Sequence, residues 1–319
     1  MASANVGERD LVRLLERCLG RGGRGSPELE VGIGDDAAVF RLGAARLVWS
    51  VDASVEGVHF ERRWVSSRDV GWRSLQAAAS DLAAMGARPL GALASLVLPT
   101  WVTPRELGEL ARGQAAAARS LGCPLVGGNL SRGTELGVTT SVLGVCRRPL
   151  CRSGARPGDE LWLVGQVGLA RAGWELLRRG MATSGRHEQR CVTAWRRPRA
   201  LIRRGLELGR VAHAAIDLSD GLGGDARQLA EASRVRVVVE RGRLERALSP
   251  AVRSVARQLG LDAFELALAG GEDYALLAAG RRRPAWARVI GRVEPGRGAL
   301  LEGADGSREE LEPGFDHFG

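Results

Sequence analysis

The stretch AIDLSDGLGGDARQLAEAS, Ala215 to Ser233, sets Asp217 and Asp220 on either side of Ser219, at a glycine-rich junction between an apolar run and a helical pattern. A helix N-terminus favours one acidic group, because its unpaired N–H groups and macrodipole attract negative charge. A second carboxylate this close repels the first unless a positive charge lies between them. A divalent cation would supply that charge. The same residues also read as a plain strand-turn-helix junction, with Asp220 as the cap, Gly221 easing the turn and Asp225 on the helix surface.

Other carboxylates sit at turns or strand ends: Asp35, Asp36, Asp52, Asp81, Glu272 and Asp273. Such junctions are where function concentrates. Hard oxygen donors with no His or Cys among them suit Mg²⁺, which is held by a few carboxylates together with substrate phosphates. The pattern therefore points to a nucleotide polyphosphate. All 46 basic residues are arginine and none is lysine. A Walker A loop and a protein-kinase strand lysine are both excluded, so metal ions and arginines must neutralise any phosphate bound here.

The elements that carry these residues follow from hydrophobic period and punctuation. Residues 8–19 have helical spacing, with Leu11, Leu14, Leu15 and Cys18 on one side, and a Gly/Arg/Ser-rich linker covers 20–27. VGIGDDAAVF reads as a turn into a strand, and ARLVWSVDASV as a strand ending near Asp52. A helix is predicted from Ser67 to Met85, a buried strand over 91–99, and a helix over Pro104 to Leu121 capped by Thr103 with Pro at its first position. ELGVTTSVLGVC alternates like a strand. The Pro157-Gly158-Asp159 turn before a fresh strand marks a boundary, giving domains 1–149 and 150–319. The second half continues with a helix near 168–179, a polar segment at 181–196, a helix near 198–209, the aspartate junction, the strand RVRVVVE, a helix over 250–259, and GGEDYALLAAG as a turn entering a strand. Mixed strands and helices in both halves predict two α+β domains.

Composition narrows the partners. A chain of 319 residues can bury a large core, and no apolar run approaches a membrane span. The opening MASANVGERD lacks the apolar stretch of a signal peptide, so a cytoplasmic protein is expected, binding no membrane. Five cysteines, scattered and without a CxxC pair, suggest neither disulfides nor zinc. The net charge of +9 is carried by arginines spread along the whole chain. With few aromatics to stack on bases, it does not predict nucleic-acid binding.

Eight segments occur in order: GIGDDAAVF, SVDASVEGVHF, SDLAAMGARP, VGGNLSRG, RSGARPGD, AIDLSDGL, GGEDYAL and GFDHF. Together, from about residue 30 to the C-terminus, they resemble the thiamine-monophosphate kinases, of the superfamily that includes aminoimidazole ribonucleotide synthetase and selenophosphate synthetase. VDxxVEGVHF paired with a closing GFDHF is the kinase-specific part. The resemblance implies Mg²⁺-dependent direct in-line transfer of the ATP γ-phosphoryl group onto thiamine monophosphate, with no covalent nucleophile. It implies several Mg²⁺ ions held by Asp36, Ser50, the Val51 backbone oxygen, Asp52, Asp81, Asp217 and Asp220, and by residue 129. It further implies ATP contacts from Gly128, Asn129, Arg152 and Ser219, and thiamine-phosphate contacts from His59, Glu272 and Phe315. A homodimer is implied, its N-terminal domains sharing a β-barrel, with a C-terminal mixed α/β domain. Asn129 departs from the family's usual Asp, and Ala78 and Ala111 depart at lesser positions. Other superfamily activities, or a degenerate nucleotide-binding protein, are the competing readings.

Overall fold

The structure is a computed structural model describing residues 8–19, 26–312 and 314. Helix α1 (Glu8–Leu19) is followed by strands β1 (Leu29–Val31), β2 (Ala38–Leu42) and β3 (Ala45–Val55), helix α2 (Ser67–Ala84), strand β4 (Arg88–Leu98), helix α3 (Pro104–Leu121), and strands β5 (Leu125–Arg132) and β6 (Gly137–Cys146). These strands form an open mixed sheet in the order β1-β2-β3-β6-β4-β5, in which only the β4–β5 pairing is parallel.

The second half begins with β7 (Glu160–Val164), α4 (Leu169–Arg178), α5 (Arg186–Arg196), α6 (Ile202–Leu208), β8 (Ala214–Leu218) and α7 (Leu222–Ser233). It continues with β9 (Arg236–Glu240), α8 (Arg241–Ala247), α9 (Pro250–Leu259), α10 (Ala263–Leu268), β10 (Ala275–Gly280), β11 (Arg288–Glu294), β12 (Gly298–Glu302) and β13 (Arg308–Glu310). Its sheet runs β13-β12-β9-β11-β7-β10-β8. The chain is thus mixed α/β with two sheets, and the described residues of one chain close no barrel.

Helix α2 connects the two halves. Ser66 and Asp69 form a reciprocal capping box that sets its start. It packs on β3 and β6 of the first sheet, on α3 at its flank, and on α6 and β8 of the second half. Fourteen of its eighteen residues are buried, as expected of a helix enclosed on all sides. The α2–α3 crossing is close because both helices present glycine there. A Cβ on Gly71 would lie 2.0 Å from the Leu110 carbonyl oxygen, and one on Gly113 would lie 2.0 Å from that of Arg68.

Predicted bounds match for α3 and α9. Two segments differ from expectation. The polar stretch at 181–196 contains α5, which buries Cys191, Val192 and Trp195 and leaves its charged side exposed. VGGNLSRG, where no strand is expected from hydrophobic period, lies in β5, an edge strand whose residues are mostly exposed. A segment with little to bury shows no hydrophobic alternation, and hydrogen bonds to β4 hold it instead.

Candidate active site

Asp36 precedes β2 in the turn after β1, Asp81 lies on the last turns of α2, and Asp217 lies near the end of β8. Each element delivers one carboxylate, and the three approach within 4.8 Å of one another. Burial pushes all three carboxyls up. Asp217 rises from 3.8 to about 7, first through desolvation and then through the charge of Asp36. Asp81 is raised well above its ordinary range by burial and by Asp217 and Asp36. Asp36 is raised by burial against the opposing pull of Arg152. Arg152 reaches one Asp36 oxygen, with Nη2 at 2.7 Å and Nε at 3.1 Å, while its Nη1 donates to Gln228 at 2.6 Å. The other Asp36 oxygen is buried with no hydrogen-bond partner. An orphaned carboxylate oxygen among repelling buried carboxylates fits a hard divalent cation.

The remaining expected residues divide into those the fold brings to this cluster and those it does not. Ser50 donates to the Asp81 carboxylate. Asp52, His59, Asp81, Asp217, Ser219, Asp220 and Glu272 all line one cavity of about 410 Å³. Val55 N–H donates to His59 Nδ1 at 3.2 Å, so a neutral ring carries its proton on Nε2. Strand register separates Gly128 from Asn129. Asp52, Thr140, Ala94 and Gly128 form one cross-strand row, and Ala53, Thr139, Ser95 and Asn129 the next. Adjacent rows face opposite sides of a sheet, so Asn129 points away from the face that carries Asp52. Phe315 lies outside the described residues.

The junction that contains Ser219 is built differently from a capped helix start. The N-cap of α7 is Gly221, which has no side chain to cap with, and Asp220 does not fill the role. Asp225, expected on the helix surface, is instead buried at 1% exposure. The whole first turn of α7 is enclosed, so no position on it faces solvent. The Asp225 carboxylate accepts the Asp220 N–H at 3.3 Å, and its carboxyl is raised well above its usual range by burial, then by Asp220 and Asp217.

The GGEDY loop folds back onto that junction. Glu272 N–H donates to the Ser219 carbonyl at 2.7 Å and Tyr274 N–H to that of Leu218 at 2.9 Å. Both residues take left-handed backbone conformations, with φ of 62° and 48°, a strain of a kind often stored at functional sites. Asp273 accepts the Gly168 and Ala170 N–H groups, at 2.5 and 3.0 Å, and so caps α4 from outside.

Several cavity residues escaped the sequence reading: Trp64, Trp174, Trp195, Tyr274 and Arg171. Trp64 and Trp195 meet edge to face with ring centroids 6.0 Å apart. The only available signal was eight tryptophans in a chain with a single tyrosine, and nothing in their spacing shows that they converge.

Over residues 34–146 the chain matches the family model described as AIR synthase related protein, N-terminal domain. The thiamine-monophosphate kinase of Aquifex aeolicus (strain VF5) is 33% identical to it, covering 100% of this chain and 100% of that protein. The chain belongs to the thiamine-monophosphate kinase family. The Mycobacterium tuberculosis (strain ATCC 25618 / H37Rv) member of the family is 34% identical over 94% of this chain and 89% of its own. Among solved structures, AaThiL complexed with AMPPCP and TMP matches with a TM-score of 0.90 at 32% identity, covering 99% of both chains. A family match at this coverage assigns both sheets, since the similarity runs through each.

Proposed function

We propose that the chain transfers the γ-phosphoryl group of ATP to thiamine monophosphate, giving thiamine diphosphate and ADP by direct in-line displacement. The observation that carries this reading is the buried carboxylate cluster opening into the same cavity as His59 and Glu272. An acceptor phosphate oxygen is already anionic, so it attacks the γ-phosphorus without a covalent nucleophile from the protein, and the β–γ bridging oxygen leaves with ADP. The task left to the protein is positioning and charge neutralisation.

Asp36, Ser50, the Val51 carbonyl, Asp52, Asp81, Asp217 and Asp220 are proposed to hold several Mg²⁺ ions, and Asn129, three strands from Val51 in the first sheet, is proposed for a separate ion. When bound, those ions neutralise the phosphate oxygens that converge during transfer. Gly128, Arg152 and Ser219 are assigned to ATP, and Asn129 through its backbone alone, because its side chain faces the other side of the sheet. Arg152 brings a guanidinium to the rim of the cluster and is held charged by Asp36, a role that lysine fills in other phosphate sites. His59, Glu272 and Phe315 are assigned to thiamine monophosphate.

The same reading divides the chain at 149/150, between the two sheets, and makes it a cytoplasmic homodimer. The exposed outer side of the first sheet supports the dimer, with Trp49, Val51, Leu93 and Val126 each at least half exposed (54, 63, 50 and 70%), since a contiguous apolar face marks an interface. Among the described residues, no helix is long and apolar enough to cross a membrane.

A coupled assay of ADP release with ATP, Mg²⁺ and thiamine monophosphate, with the product identified as thiamine diphosphate, tests the proposal. ADP release that occurs with an aminoimidazole precursor or selenide as acceptor, and not with thiamine monophosphate, would assign the chain to a sister activity.

A further inference from the structure

Behind the cavity wall lies a group that does not line it. Arg73, on α2, is 2% exposed. Its Nη1 donates to the Trp195 carbonyl at 3.0 Å, and its Nη2 donates to the Glu272 carboxylate. Its guanidinium carbon sits 5.1 Å from the centre of the Trp195 ring. Burial opposes its charge, but Glu272, then Tyr274 and Asp52, outweigh that and raise its pKa. A buried guanidinium is tolerated only when paired and hydrogen-bonded, so its two donors tie together the things they touch.

What they touch are two walls of the cavity. Glu272 and Trp195 both line it, and Trp195 in turn braces Trp64 edge to face. Glu272 arrives from the loop before β10 in a left-handed conformation, and Trp195 comes from the last turn of α5. Helix α4, capped by Asp273 and packed on α5, links these two loci indirectly, whereas Arg73 bonds to both. Arg73 bonds to one oxygen of Glu272, whose side chain keeps 27% of its exposure, on the cavity side. Because the ion pair is internally neutral, Glu272 contributes an oriented acceptor more than a net negative charge.

We propose that Arg73 is a positioning residue of the acceptor subsite, holding Glu272 and Trp195 so that one accepts a hydrogen bond from a flat nitrogen heteroaromatic while the other packs on its ring. The inference rests on the assignment of Glu272 to the acceptor side. It makes specificity for the acceptor depend on a side chain that never touches it. Lysine is no equivalent, because a single ammonium lacks the planar fork that reaches both partners.

The test compares wild type, Arg73→Lys, Arg73→Met and Arg73→Met/Glu272→Gln in steady-state assays with ATP, Mg²⁺ and thiamine monophosphate, alongside thermal melting. Arg73→Met should raise KM for thiamine monophosphate by ~10-fold or more while KM for ATP moves less than ~2-fold, and Arg73→Lys should fall between. The double variant should add little to Arg73→Met, since the carboxylate it neutralises is already displaced from its working position. Equal rises in both KM values, an unchanged acceptor KM in a folded Arg73→Lys, or failure of Arg73→Lys to fold would each make Arg73 a structural residue and overturn the inference. Wild-type protein that does not turn over thiamine monophosphate would overturn the proposed function itself, and this inference with it.

Discussion

Asp217→Asn should make the metal-free protein more stable and the enzyme far slower. The raised carboxyl, from 3.8 to about 7, means that the charged form is penalised by about 4 kcal/mol in the folded site when no cation is bound. Asparagine removes that penalty but leaves a buried amide to satisfy, at about 1–3 kcal/mol. A net gain of about 1–3 kcal/mol is therefore expected at pH 8 in EDTA. The pH dependence has a definite sign. The folded site holds its proton more tightly than the unfolded chain does, so the stabilisation is full below about pH 4, declines as the pH rises through about 7, and is flat beyond it. Asp217→Asn should lack that part of the decline. In Mg²⁺ the order reverses, because an ion that binds only the folded wild type adds stability by mass action. Turnover should fall at least ~100-fold, the scale of losing one transition-state charge contact. Melting curves at pH 6 and 8, with EDTA and with Mg²⁺, beside initial rates, decide the matter. A variant that melts lower than wild type in EDTA at pH 8, or that keeps near-normal turnover, would refute a repelling metal cluster.

Three further outcomes follow from the geometry. His59→Ala and Glu272→Ala should each raise KM for thiamine monophosphate by ~10-fold or more with little change in KM for ATP; the opposite split would move both residues to the nucleotide side. Asn129→Asp should lower the Mg²⁺ concentration for half-maximal rate by ~10-fold, equivalent to about 1.4 kcal/mol; an unchanged midpoint with a lower melting temperature would remove Asn129 from any metal shell. Gly71→Ala, whose Cβ would meet the Leu110 carbonyl oxygen at 2.0 Å, should cost about 1–3 kcal/mol of stability by prising α2 from α3, read as a shift in the urea midpoint; an unshifted midpoint would show that the crossing can relax.

Local signals made much of the fold legible. Thr103 and Pro104 mark the start of α3, Ser249 and Pro250 that of α9, and both helices were readable to their last residue. The carboxylates could be singled out because charge beside glycine at a strand end is conspicuous in sequence. What sequence could not express is direction. Asp225 looks like one more exposed helix residue until the enclosure of the α7 first turn is known. Asn129 differs from Gly128 by one step in register, which is enough to put it on the other face. The positive φ values fall on Glu272 and Tyr274 rather than on the glycines beside them, and residue type gives no hint of it. Arg73 finds Glu272 across 199 positions of chain, a separation no periodicity can report.

That last separation has a consequence in time. A ribosome adds roughly 5–20 residues per second, so the 199 positions between Arg73 and Glu272 take about 10–40 s to synthesise. For most of that interval α2 already exists, with its alanine-rich side and a guanidinium destined for burial, while β8 and the Glu272 loop that will cover them are still untranslated. The first sheet can pair with itself during the wait, but the nascent half must carry an uncovered apolar helix. A pause or truncation between residues 85 and 214 would release a species prone to capture by chaperones or by its own kind. The junction that makes one site from two halves thus also sets the most hazardous stage of the chain's biogenesis.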